Sequence, residues 1–330
     1  MNILFMIGNG FDLNVGLYTR FKDFFSTYLK IPNNDDRIKK FKEEIEAEIE
    51  TWADFEKQIG VYAKNYNTST QDDYIYCLDN FLDELINYLR KQEESIDYES
   101  NANEIVNVFR DSLVNYQNFL PPYSAGILNS IYDKNRIGSI YSFMSFNYTG
   151  VLDGCINLTK THLPLKDVLH IHGTLDEHPL IGVDNDSQIE NSELSANQNF
   201  TRLMSKPLMN EGLRNQKHEQ GAKLVESSDI ICVFGMSLGE TDKTWWQLLG
   251  KWLLNKKSSH LVLFIFEEDY SKIHARKAIG IVDKIKNHFF DMADFPNDKH
   301  EEFEQRIHIG LNTDMFKINL TKTKTVSDEN

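Results

Sequence analysis

Four short stretches carry side chains suited to chemistry: Gly8-Asn9-Gly10-Phe11-Asp12, Ser145-Phe146-Asn147-Tyr148-Thr149-Gly150, His170-Ile171-His172-Gly173, and Gly235-Met236-Ser237-Leu238-Gly239-Glu240-Thr241-Asp242. Two glycines after an apolar run allow a tight turn and a close approach of backbone to ligand. If a helix follows, its free N–H groups form a site for phosphate. Asp12 does not suit that anion, because a carboxylate repels phosphate; ribose hydroxyls or a reacting centre suit it better. Asn147 offers donors and an acceptor in one group, and its ordinary alternative is the cap of a helix starting near Thr149. His172, against Gly173, can take or give a proton near neutral pH. His170 and His172 are two apart, so on a strand both share one face. One of the two is expected to be a structural core histidine. Ser237 and Gly239 put backbone N–H groups where a phosphate could sit, while Thr241 or Asp242 could equally cap the next helix.

Other chemistries fit less well. The dinucleotide fingerprint needs a third glycine at position 13, which is Leu13, and the nearest later acids, Asp35 and Asp36, lie in a polar turn. Gly235-Met236-Ser237-Leu238-Gly239 matches the G-x-S-x-G elbow of serine hydrolases. That reading needs a downstream acid and histidine. Asp269, His274, His288, His300 and His308 are present without a diagnostic context, and the reading leaves the first two stretches without a role. A zinc site would need a third ligand beside His170 and His172, and His162, His178 and Asp176 have no recognised spacing. No metal is expected.

The elements that must hold these stretches follow from apolar runs. Ile3 to Ile7, Gly138 to Phe146, Val168 to His172, Ile230 to Phe234 and Leu261 to Phe266 read as strands of a parallel sheet. Met315 to Leu320 reads as an edge strand. Residues 36–132 show helical patterns and no strand. They include Trp52-Ala53-Asp54-Phe55-Glu56, where Trp52, Phe55 and Ile59 share a face and Glu56 or Asp54 could reach the cleft. The expected fold is α/β, a Rossmann-like, mostly parallel sheet with a large helical insertion. The core is discontinuous (1–35 and 133–320), the insertion or cap is 36–132, and 321–330 is a disordered tail.

Bulk properties narrow the class. The chain has 330 residues, 41% hydrophobic and 26% charged, the profile of a soluble globular protein. A formal net charge of −15 argues against nucleic-acid binding, which needs many lysine and arginine contacts. Cys77, Cys155 and Cys232 are isolated and odd in number, as expected of reduced thiols in a cytoplasmic protein. No signal-like n-region and no membrane-length run is seen.

In their order along the chain, GNGFDL, W-x-D-F-E, FNYT, HIHG and G-x-S-L-G-x-x-D resemble the AbiH family of phage abortive-infection proteins. That family is in turn distantly similar to the sirtuin-like superfamily. The resemblance implies a sirtuin-like, Rossmann-like fold and carries over Gly8, Gly10, Asn147, His172, Gly173, Gly235, Ser237 and Asp242. Two departures are Phe11-Asp12 after the loop and the absence of zinc-ribbon cysteines. The second points away from protein deacylation and toward effectors that destroy NAD. The implied activity is hydrolysis of NAD to nicotinamide and ADP-ribose. Gly8, Asn9, Gly10 and Phe11, with the Ser237 loop, would fix the pyrophosphate. Asn147 would hold the ribose and a water, His172 would act as base, and Asp12 would steady positive charge. Glu56 would contact ribose or orient His172. The alternative is a silent NAD- or ADP-ribose-binding module. Whether the chain works as a homo-oligomer or with a defence partner protein is left open.

Overall fold

Ile3 to Ile7 lose all contact with solvent, because this strand lies mid-sheet with a partner on each side. A computed structural model describes residues 1–135, 138–268, 270 and 273–321. Among these, β1 (Asn2–Ile7) pairs in parallel with β2 (Ile140–Ser145) and with β4 (Ile230–Phe234). Outside them lie β3 (Leu165–His170), β5 (His260–Ile265) and β6 (Ile307–Leu311). All pairings are parallel and the order is β3-β2-β1-β4-β5-β6. This is the doubly wound order of Rossmann-like sheets, whose direction reverses between β1 and β4.

Alternation along β1 feeds two cores. Ile3, Phe5 and Ile7 pack with Ile105, Phe109 and Leu113 of the helix Tyr98–Val114, and with Cys155 and Ile156 of the helix Val151–Thr159. Leu4 and Met6 pack with Trp245, Leu249 and Trp252 of the helix Lys243–Asn255, and with Phe289 and Phe290 of the helix Ala275–Met292. Burial on both faces explains why β1 and β4 read as continuous apolar runs.

Several boundaries differ from the sequence reading. β3 starts at Leu165 and ends at His170, so His172 lies in a turn beyond the strand and the shared-face argument for the histidine pair fails. Met315 to Leu320 is not a strand. Its apolar side chains are buried in the first core, with Phe316 at φ +54° and its N–H donated to Ser112 Oγ. The sixth strand is Ile307–Leu311 instead. The expected disordered tail lies outside the described residues, Thr321 excepted.

The chain forms two compact units. The first comprises Met1–Leu17, Ser95–Ile171 and Lys217 onward; the second comprises Tyr18–Glu94 and His172–Gln216. This partition differs from a single insertion at 36–132. The helix Tyr98–Val114 buries its apolar face on the sheet and so joins the first unit. The second unit is held by aromatic packing: the Phe81 ring lies 5.2 Å from Phe24, 5.4 Å from Tyr28 and 6.0 Å from Trp52. The buried ammonium of Lys42 donates to the carbonyls of Tyr28 and Ile31 at 2.7 and 2.8 Å, meeting acceptors left over at a helix end.

Candidate functional site

In the first unit the carboxyl ends of β1 and β4 meet as backbone against backbone. Gly8 N–H donates to Phe234 O at 3.0 Å, Gly10 N–H to Gly235 O at 2.8 Å and Phe11 N–H to Gly8 O at 2.9 Å. A Cβ on Gly10 would stand 2.5 Å from Gly235 Cα, and Gly235 itself is at φ +68°. These glycines are thus required by the contact between two loops. Three of the N–H groups expected to hold phosphate are already committed within the protein. The helix that follows, Gly10–Asn14, is only five residues long, and its N-cap Asn9 makes no side-chain capping bond.

That short helix carries Asp12, 2% exposed. Its Oδ1 accepts from Asn147 Nδ2 at 2.9 Å and its Oδ2 from Thr149 Oγ1 at 2.7 Å. Each carboxylate oxygen therefore already has a protein donor. Asn147, 6% exposed, also donates its N–H to Ser145 Oγ at 3.2 Å. Its Oδ1 is buried and has no hydrogen-bond partner. It is not a helix cap, since Gly150 occupies that position before Val151–Thr159. His170, at the end of β3, places Nε2 2.7 Å from Asp153 Oδ2 and Nδ1 3.4 Å from the Asn147 carbonyl. Of the histidine pair, His170 is the one built into the sheet.

The β4 loop has the opposite balance of backbone groups. The carbonyls of Gly235, Leu238 and Gly239 accept from Gly10 N–H, His288 Nε2 (2.7 Å) and Trp246 Nε1 (3.0 Å). The N–H groups of Met236, Ser237, Leu238 and Gly239 donate to no protein group among the described residues. A run of uncommitted N–H groups suits an anion. Ser237 is exposed. It does not form a hydrolase elbow: the left-handed residue is Gly235 rather than Ser237, and the α-helix starts only at Lys243. His288, the downstream histidine that reaches this loop, serves a carbonyl and not the Ser237 hydroxyl. Asp269, an acid that reading would need, lies outside the described residues. Asp242 is the N-cap residue of the helix Lys243–Asn255, without a side-chain capping bond.

The remaining predicted residues belong to the second unit. His172 is 6% exposed and its carbonyl accepts from Leu180 N–H at 2.7 Å. Gly173 is at φ +76° with Glu177 O and His178 O 2.9 Å from a notional Cβ, so only glycine fits that turn. Glu56 accepts from Lys206 Nζ at 2.8 Å, both side chains largely buried. Asp54 caps the helix Phe55–Tyr62 through Lys57 N–H at 3.3 Å, and burial holds its carboxyl above the usual carboxylate range. The sequence reading missed Thr149 and Asp153 as partners, although Thr149 lies within FNYT and Asp153 just beyond it, and missed Lys206, which has no local signal.

Among the described residues no group of three or more metal-ligating side chains is gathered, and no helix is long and apolar enough to cross a membrane. The chain matches no curated protein. A family model described as bacteriophage abortive infection AbiH matches residues 4–264.

Proposed function

The chain belongs to the AbiH family of bacteriophage abortive-infection proteins, and from that premise we propose that it binds NAD at the carboxyl ends of β1, β2 and β4 and hydrolyses it to nicotinamide and ADP-ribose. The observation that carries this reading is the buried, unpartnered Oδ1 of Asn147 at the end of a doubly wound sheet where such folds take ligands. A buried acceptor without a donor is costly, and a ribose hydroxyl or an attacking water would supply one.

The reaction breaks the bond between ribose C1′ and the nicotinamide nitrogen. Nicotinamide leaves neutral, the ribose gains oxocarbenium character, and water forms the new C1′–O bond while giving up a proton. The open N–H groups of residues 236–239 and the Ser237 hydroxyl take the pyrophosphate. Asn147 holds the ribose and the water in reacting geometry. The proton needs a base, worth roughly 100- to 10,000-fold. His172 carries that role by family resemblance. His170 is the comparison, since both of its ring nitrogens face acceptors, the Asp153 carboxylate and the Asn147 carbonyl, and neither is placed to take a proton.

The test is expression during phage challenge with cellular NAD measured for wild type, Asn147→Ala, His172→Ala and His170→Ala. NAD should collapse with wild type and persist with Asn147→Ala and His172→Ala; preservation of NAD by His170→Ala but not by His172→Ala would overturn the assignment of the base to His172. An equal fall in all four, or protection without any fall, overturns the proposal.

A further inference from the structure

We infer that Asp12 and Thr149 are positioning residues that fix the side-chain amide of Asn147 with its oxygen free to accept, so that the group bound there is a hydroxyl or an N–H and not a phosphate oxygen. The inference rests on the proposed function only in placing the ligand at this end of the sheet.

An ionised carboxylate can only accept hydrogen bonds. With Asp12 Oδ1 at 2.9 Å, the atom of Asn147 that faces it must be the NH₂. Turning the amide over would set oxygen against oxygen in a buried place. The choice between the two amide orientations, open in isolation, is thus closed by its neighbour. Thr149 secures the second oxygen of the same carboxylate at 2.7 Å, so Asp12 cannot swing away without breaking that bond as well. The main chain of Asn147 is held in addition, its N–H by Ser145 Oγ at 3.2 Å and its carbonyl beside His170 Nδ1 at 3.4 Å. Of the polar atoms of Asn147 only Oδ1 has no partner, while Nδ2 gives one of its two N–H donors to Asp12. An acceptor held this way discriminates by polarity: it attracts a donor and repels an anion. Within the NAD reading, the donor is a ribose hydroxyl or the attacking water, and the phosphates lie elsewhere.

An Asn in place of Asp12 is nearly isosteric but can donate, so it permits either orientation of Asn147. The full chain is prepared as wild type, Asp12→Asn, Thr149→Val and Thr149→Ser. Two quantities are measured: NAD binding by calorimetry, and solvent exchange of the Asn147 side-chain NH₂ by NMR. Exchange should be about tenfold faster in Asp12→Asn, as expected for losing a bond to a charged acceptor. The Kd for NAD should rise about tenfold or more in Asp12→Asn and Thr149→Val. Thr149→Ser, which keeps the hydroxyl, should restore binding to within about twofold. A purely structural role would instead spread spectral changes through the sheet and give no rescue by serine. Unchanged exchange in Asp12→Asn overturns the inference, and so does NAD binding by Thr149→Val equal to wild type. If wild type itself binds no NAD, the proposed function fails and the exchange measurement alone decides the clamp.

Discussion

Asn147 owes its setting to what a carboxylate can and cannot do. Asp12 is acceptor-only, so both neighbours must be donors, and the amide and the hydroxyl of FNYT supply them. Replacing the amide by a second carboxylate, Asn147→Asp, would bury two like charges within hydrogen-bonding distance. The fold should then lose about 3 kcal/mol at neutral pH. The shared site raises a carboxyl pKa in the native state above its unfolded value. The missing stability should therefore return as the pH falls toward 4 and one of the pair takes a proton. Urea midpoints of wild type and variant at pH 7 and pH 4.5 check this. A gap that does not narrow in acid would show that the two carboxyls do not face each other.

Pairing between elements sets a second, independent pH response. On adjacent strands β5 and β6, His260 Nδ1 and His308 Nε2 are 3.1 Å apart. Burial, with the nearby Arg306 charge, lowers His260 from the usual histidine value to about 4. Burial, then His260 and Lys286, lowers His308 to about 3. Both rings are neutral in the native state, while the unfolded chain takes up protons near pH 6.5. The resulting stability is complete above that pH and is lost as the pH falls from there toward the folded values. Replacing the pair as His260→Gln with His308→Leu should flatten the urea-midpoint profile between pH 6.5 and 4.5 by about 1–3 kcal/mol. A variant that keeps the wild-type slope would place the acid sensitivity elsewhere. The glycine loops belong to this scale too. Gly8, Gly10 and Gly235 are visible in the sequence as loop glycines after strands, but the close contact that requires them is between β1 and β4, more than two hundred residues apart.

At the scale of the molecule, each unit is assembled from distant pieces of chain. In the second unit the join between Tyr18–Glu94 and His172–Gln216 includes the buried Glu56–Lys206 pair at 2.8 Å. Lys206→Met should take this cation away from the buried Glu56 carboxylate and destabilise this unit by about 3 kcal/mol, whereas adding Glu56→Gln should recover part of the loss. Hydrogen exchange in the helix Gln71–Glu94 reads both effects. Equal exchange in the single and double variants would mean that the loss does not come from the Glu56 charge.

The sequence by itself determined the fold class and the two central buried strands. Fully buried parallel strands must be apolar along their whole length, so Ile3 to Ile7 and Ile230 to Phe234 announce themselves without neighbours. Motif order in FNYT and HIHG likewise marked Asn147 and the histidine pair. What only tertiary structure decided was polarity and partnership. Asp12 and Asn147 stand 135 positions apart, so no local pattern tells which amide atom faces the carboxylate. The end of β3 at His170 depends on its register with β2, which puts one histidine in the sheet and the other in a turn. The strand Ile307–Leu311, interrupted by Gly310, reads weakly as a strand, yet β5 supplies a ladder for it. Met315 to Leu320 has the apolar content of a strand but is spent on filling the core. Backbone pairing and burial are settled between distant segments, and composition along one segment cannot carry that information.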